Sequence, residues 1–230
     1  MSEENTITGD QPPRRGGASL LKFLLPLALL VGIAGGVSAA LLGGSNSPSL
    51  PGGVQQAGAS GGFYGTLALP AKAAPPLSLE NYLGRPVTLA QYRGRAVLVT
   101  FLYTHCPDVC PLIASNLRVA LNELGAQAAK AQVIAISVDP RGDTRASVAK
   151  FLAAHEMVGR MEYLIGSSAQ LQRTWAAWSV GSSRDVGKPE FVAHSALIYG
   201  VSGSGKLMTL YPASFEPSQI VHDVPRLAAR

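Results

Sequence analysis

Ala96-Val97-Leu98-Val99-Thr100-Phe101-Leu102-Tyr103-Thr104-His105-Cys106-Pro107-Asp108-Val109-Cys110-Pro111 runs from an unbroken apolar segment straight into the chain's two cysteines. A run this rich in Val, Leu and Phe reads as a strand buried on both faces. Two prolines end it, and a helical pattern follows from Leu112. Pro111 suits the first turn of that helix, where its missing N–H costs little. Cys110 then stands at the helix entrance and Cys106 on the loop before it. A helix N-terminus favours negative charge and lowers a thiol's pKa. Three residues separate the cysteines, a wider loop than Cys-x-x-Cys, so the sulfurs can splay around one ion or close into a disulfide. Thiolates are soft ligands that favour Cu(I) and are also the nucleophiles of disulfide exchange. The dithiol alone leaves both chemistries open.

A third residue has to decide between them. The chain has four histidines, His105, His155, His194 and His222. His194, within Phe191-Val192-Ala193-His194-Ser195, directly precedes an expected strand, and a residue at a strand edge can approach the cysteine loop. Cys106, Cys110 and a neutral His194 would make a three-coordinate copper site. The competing reading of His194 is a hydrogen-bonded histidine at a strand end. His105 is expected to pack beside the site, and His155 and His222 to be solvated or structural. Asp108 reads as a helix-start carboxylate or a partner contact. Asp139, Arg141 and Asp143 read as turn and cap chemistry, and Trp175 and Trp178 as a core face. Tyr103 or Phe101 is expected to pack beneath the loop.

Around this centre the pattern alternates. Two short strands joined by a Gly turn are expected over 77–89, then the strand at 96–103 and a helix over 112–129. A strand follows at 133–138, with helices over 145–155, capped by Thr144, and over 167–178. A strand at 195–199 forms a hairpin with 206–211, and a helix over 217–227 closes the chain. Alternating strands and helices predict an α/β fold with a mostly parallel sheet and a late antiparallel hairpin. A dithiol after the first central strand makes this thioredoxin-like, a central mixed sheet flanked by helices.

The chain has 230 residues, 47% hydrophobic and 14% charged, with a formal charge of +5. The first 22 residues carry three bases and three acids, so the surplus lies in the later part. Its bases are scattered, with no stripe of Lys and Arg among aromatics, which argues against nucleic-acid binding. Two cysteines are too few for a disulfide scaffold. Residues 23–42 carry no charge, about the length of a bilayer-spanning helix. Arg14, Arg15 and Lys22 precede that segment and no base follows until Lys72, so positive-inside bias puts residues 1–22 in the cytoplasm. A cleaved signal ending near Val37-Ser38-Ala39 is the alternative, and it delivers the domain to the same oxidising side. The Gly-, Ser- and Pro-rich stretch from Gly43 to residue 65 reads as a flexible linker, and residues 66–230 as the functional domain.

The nonamer Tyr103–Pro111 resembles the signature of the Sco/SenC family of copper chaperones. Ser137-Val138-Asp139-Pro140-Arg141-Gly142-Asp143-Thr144 is similar to that family's second block, and His194-Ser195 with the following strand and Gly turn to its third. The resemblance runs over about residues 66–228. It implies a thioredoxin-like domain that binds one copper ion, as Cu(I) or Cu(II), through Cys106, Cys110 and His194. It further implies a protein anchored in a bacterial inner membrane with its domain in the periplasm, serving the dinuclear copper site of cytochrome c oxidase subunit II. Other copper chaperones and a thiol reductant would be further partners. Many members carry Asp just before this His, where this chain has Ala193, and the acidic run of some members is missing over 181–190. A metallochaperone turns over no substrate. The alternative is a membrane-tethered thiol–disulfide oxidoreductase working through Cys106 and Cys110, with a thiol peroxidase as a weaker third reading.

Overall fold

The computed structural model describes residues 62–65, 67–184 and 192–230. The expected N-terminal tail, the anchor at 23–42 and the linker up to residue 61 lie outside the described residues. Among those described, no helix is long and apolar enough to cross a membrane.

The elements in chain order are β1 (Leu67–Ala73), β2 (Ser78–Asn81), β3 (Pro86–Thr88), β4 (Ala96–Leu102), α1 (Val109–Leu124), β5 (Ala131–Ser137), α2 (Arg145–Ala154), β6 (Met161–Ile165), α3 (Ser168–Ala177), β7 (Ser182–Arg184), β8 (Val192–His194), β9 (Leu197–Val201), β10 (Lys206–Pro212) and α4 (Pro217–Ala228). Short 3₁₀ turns at Leu89–Tyr92 and Gly125–Lys130 lead into β4 and β5. Local chemistry sets the helix starts. Thr144 Oγ1 accepts from Ser147 N at 3.1 Å ahead of α2. Ser167 and Gln170 cap α3 reciprocally, with Gln170 Oε1 accepting from Ser167 N at 2.9 Å. Pro217 opens α4, where an N–H would have no helical partner.

Eight strands form one mixed sheet in the order β1-β10-β9-β4-β5-β6-β2-β3, and β7 and β8 pair separately as a short ribbon. Among the described strands only β4–β5 and β5–β6 are parallel. The expectation of a mostly parallel sheet is therefore corrected. A parallel pair needs a long crossover, and only α1 and α2 supply one between neighbours; β2–β3 and β9–β10 are joined by short turns, and β1, β9 and β2 pair antiparallel with strands distant in sequence. Four strands escaped the sequence pattern: β1, β6 and the ribbon pair β7 and β8. β1 carries Pro70, which belongs on an edge strand, and β6 is only five residues long. The first helix also begins earlier than 112, at Val109, which puts both Cys110 and Pro111 in its first turn.

β4 lies between β9 and β5, and every one of its residues is buried. That accounts for an apolar run without alternation. In the parallel β4–β5 pair Leu102 stands opposite Ser137, so the loops that leave these strands emerge side by side. β9 runs antiparallel to β4 with Ile198 opposite Thr100, so the residues just before β9 come to the same end. Three segments far apart in sequence therefore meet there.

The chain also enters the domain at that end. Tyr211 of β10 lies opposite Ile198, and its hydroxyl donates to the fully buried Asp223 of α4 at 2.7 Å. The same carboxylate accepts from Tyr64 N at 2.8 Å and Gly65 N at 2.9 Å. The Tyr64 ring stacks on His222 at 3.5 Å, and Gln219 Nε2 donates to Tyr64 O at 2.8 Å. Gly65 admits no side chain, because a Cβ would stand 2.8 Å from that of Thr209. Asp223→Ala would leave two backbone N–H groups and a tyrosine hydroxyl unsatisfied, at about 1–3 kcal/mol each where buried. The expected loss in denaturant unfolding is about 3 kcal/mol or more; a loss under about 1 kcal/mol would show that Asp223 does not clip this segment.

Candidate metal centre

The cysteine loop turns tightly out of β4. Cys106 N donates to Tyr103 O at 3.3 Å, and Cys110 N, in the first turn of α1, donates to Cys106 Sγ at 3.4 Å. Both thiols are free. Cys110 is fully enclosed and Cys106 is 7% exposed.

Their environments push the two thiols apart. The Cys110 S–H donates to the Cys106 sulfur, the largest influence on that group, and the N–H groups of Asp108 and Cys110 and the Tyr103 side chain add to it. Against opposition from burial, the Cys106 thiol is pulled down to about 6. Cys110, the donor of that bond and the more deeply buried, is held far above the usual thiol range. At neutral pH the pair is a thiolate beside a thiol.

His194 closes β8 and stands opposite Ser182 in the ribbon. Its Nε2 lies 3.9 Å from Cys110 Sγ. Its Nδ1 faces Ser195 O at 3.3 Å, which sets the proton on Nδ1 and leaves the Nε2 lone pair towards the sulfur. Burial lowers its pKa, so the imidazole is neutral at pH 7. The edge of the Tyr103 ring meets the His194 ring at 5.9 Å and 83°. A cavity of about 230 Å³ opens over the pair, lined by Tyr103, Cys106, Pro107, Asp108, Val109, Val192, Ala193 and His194. Cys110 is not on its wall.

Two thiols and a neutral imidazole are a donor set for a soft ion. Metal–sulfur and metal–nitrogen bonds of about 2.3 and 2.0 Å, the lengths of zinc sites, span about 3.7 Å at a trigonal angle. The Cys110–His194 separation fits that span. Among the described residues, no three His, Cys, Asp or Glu side chains stand close enough to hold an ion as they are, so an ion would have to draw the Cys106 sulfur inward to complete the set.

Behind the loop lies a buried polar brace. Asp143 Oδ1 accepts from Thr104 N at 2.8 Å. Its Oδ2 accepts from Ser137 Oγ at 2.6 Å and from Tyr163 OH at 3.0 Å. Ser137 O in turn accepts from Trp175 Nε1 at 2.9 Å. Asp143 thus does more than shape its own turn: it fixes the start of the cysteine loop. The second sequence block held the only signal for this, as a carboxylate six positions after a strand-end serine. Trp178 takes the expected core position against Phe101 and Tyr199.

The other histidines lie elsewhere. His105 is exposed, with Nδ1 3.1 Å from Thr104 Oγ1, and shares a separate cavity with Lys150 and His155. His155 packs on Phe151. His222 bonds Asp223 at 2.7 Å. Asp108 is exposed at the rim of the site. Ala193 is exposed beside His194 and brings no carboxylate there.

The sequence profile of the SCO1/SenC family matches residues 66–229, well over half of the chain. A bovine mitochondrial SCO2 homolog is 32% identical over 154 residues, 65% of this chain and 57% of the relative, so the chain spans little more than half the length of that relative. Among solved structures, the apo Sco1 protein of Thermus thermophilus shares 31% identity with a TM-score of 0.62, over 74% of this chain and 99% of that one. Copper-bound ScoI of Bradyrhizobium japonicum shares 29% identity with a TM-score of 0.61, over 68% and 99%. BsSco, 22% identical with a TM-score of 0.59 over 69% of this chain and 94% of that one, is itself described as a member of the Sco family of cytochrome c oxidase assembly proteins. With its mixed sheet, its dithiol at the head of α1 and a matching profile from end to end of the described fold, the chain belongs to the SCO1/SenC family.

Proposed function

We propose that this protein is a membrane-anchored metallochaperone that holds one copper ion between Cys106, Cys110 and His194. Its destination is the dinuclear copper site of cytochrome c oxidase subunit II, which it loads or prepares. In this reading residues 1–22 are cytoplasmic, 23–42 anchor the chain in a bacterial inner membrane, 43–65 tether it, and 66–230 form the periplasmic copper-binding domain. The observation that carries the reading is the 3.9 Å approach of a neutral, correctly tautomeric imidazole to a buried cysteine sulfur across 84 residues of chain. The copper-bound Bradyrhizobium relative supports the choice of ion.

In this reading transfer has a direction. Cys106 and His194 line the opening and Cys110 does not. An acceptor thiolate entering there meets the first two donors before the third, so release proceeds by exchange at the rim and ends at the buried sulfur.

The thiol–disulfide reading has its own support in the split of the two thiols. The Cys106 thiolate would attack an acceptor disulfide to give a mixed disulfide. Cys110 would then resolve it, forming the Cys106–Cys110 disulfide and freeing two acceptor thiols. A thiol reductant would return the two electrons.

Titration of the reduced full chain with Cu(I) against a competing chelator is expected to show one tight equivalent, weakened at least about tenfold by His194→Ala and abolished by Cys106→Ser. Undiminished affinity in His194→Ala would remove that residue from the ligand set. Alkylation of the reduced, metal-free protein tests the thiols themselves. Because the Cys106 pKa is lowered, its thiolate forms as pH rises through about 6, and its iodoacetamide rate should level off above that point. Cys110 should label only after unfolding. A midpoint near the ordinary value of about 8.5 would contradict this.

A further inference from the structure

The three parallel strands carry two arginines to the end of the sheet away from the metal centre. Arg95 is the residue before β4 and Arg160 the residue before β6. β5 lies between them, so the two stand roughly 10 Å apart across one intervening strand. Both side chains line a single cavity of about 170 Å³, with Leu121, Ala128, Gln132 and Gly159. The two arginines are its only charged walls among the described residues. β4 is seven residues long, which puts the cavity about 20 Å from the cysteine loop.

Arg95 is held in place and left without a counter-ion. Its Nη2 donates to Ala131 O, and its guanidinium lies over the Tyr92 ring at 5.7 Å. Its Nε is buried with no hydrogen-bond partner. A guanidinium has five N–H donors, and a charged donor taken out of water and left unpaired is costly. Among the described residues, Glu162 pairs with Arg85 and Glu156 with Arg118, and neither Arg95 nor Arg160 has a carboxylate partner. An anion supplies what the cavity lacks. One guanidinium fork satisfies a carboxylate; two forks converging from opposite sides suit a tetrahedral oxyanion. The volume agrees, since pockets for organic ligands run from about 300 Å³ upwards. We propose that Arg95 and Arg160 form an oxyanion site that takes a phosphate group, supplied as free phosphate or as the phosphate of an anionic lipid headgroup. The site is separate from the metal centre and does not depend on the copper reading.

The test uses the reduced, metal-free full chain and measures modification of each arginine by phenylglyoxal. In maltoside micelles, inorganic phosphate at ten times its dissociation constant should slow the modification of Arg95 and Arg160 about tenfold, while sodium chloride at equal ionic strength should not. Arg160→Gln should weaken phosphate binding at least about tenfold, through the loss of hydrogen bonds from a charged donor. Arg160→Lys keeps the charge without the fork and should recover only part of it. Arg173→Gln, an exposed arginine on α3, should leave binding within about twofold. Phosphate-free bilayers separate the sources: protection that appears when phosphatidylglycerol replaces part of a phosphatidylcholine bilayer identifies the headgroup, and protection by inorganic phosphate alone identifies the free ion. Unchanged modification under both conditions would overturn the site. Protection that chloride reproduces, or that Arg173 shares equally, would overturn it as well.

Discussion

The hydrogen bond from the Cys110 backbone N–H to the Cys106 sulfur organises the site. It exists because α1 starts one residue before Cys110, directly after a turn that folds Cys106 back over the helix end. One sulfur of the pair is thereby kept protonated and enclosed, the other ionised and near the opening. A dithiol with equal sulfurs would have no ordered sequence of bond making. Here the outer sulfur meets a partner first and the inner one completes the exchange, whether the thing exchanged is an ion or a disulfide. Burial, usually inert for a cysteine, becomes the source of the difference in reactivity.

That pair is held from behind by a costly group. Asp143 is buried, and burial raises its pKa, while the donors Ser137, Thr104 and Tyr163 pull the other way. A raised carboxyl pKa means that ionisation in the folded state is disfavoured. Stability from this residue is greatest at acidic pH and declines as pH rises through its folded pKa. The three donors to the carboxylate limit that loss, and in return the loop begins at a fixed point on the end of β5. The brace uses the adjacency of β4 and β5, so it is a consequence of the parallel register and could not be formed by a loop at a sheet edge.

The architecture around β4 was legible in the sequence because both of its faces are covered, which leaves an apolar run bounded by breakers. The capped helices were legible too, since Thr144 and Ser167 carry their capping chemistry in the local sequence. β1 and β6 were not, because their pairing is decided by distant partners: β1 by β10, and β6 by β5 on one side and β2 on the other. For the same reason the sheet was read as more parallel than it is. The two sulfurs could be placed from the loop alone. His194 could be placed at a strand edge, but its distance from them is set by the antiparallel β9 register, which no local pattern contains. Asp143 was visible as a residue and invisible as a brace, since it acts on atoms outside its own segment.

The protonation of His194 bears on which chemistry this arrangement favours. A histidine beside a thiol can serve as a base, taking the proton as the thiol becomes a nucleophile. That role calls for a pKa near working pH. Burial here lowers the His194 pKa, so the imidazole is a poor proton acceptor. A ligand role makes the opposite demand: a neutral ring whose lone pair is free and whose other nitrogen is engaged. The contact of Nδ1 with Ser195 O and the approach of Nε2 to Cys110 meet it. Disulfide exchange could run on the two sulfurs with this imidazole absent, whereas three-coordinate binding of a soft ion could not. Keeping a neutral imidazole half-buried against a sulfur has a use in the second chemistry that it lacks in the first.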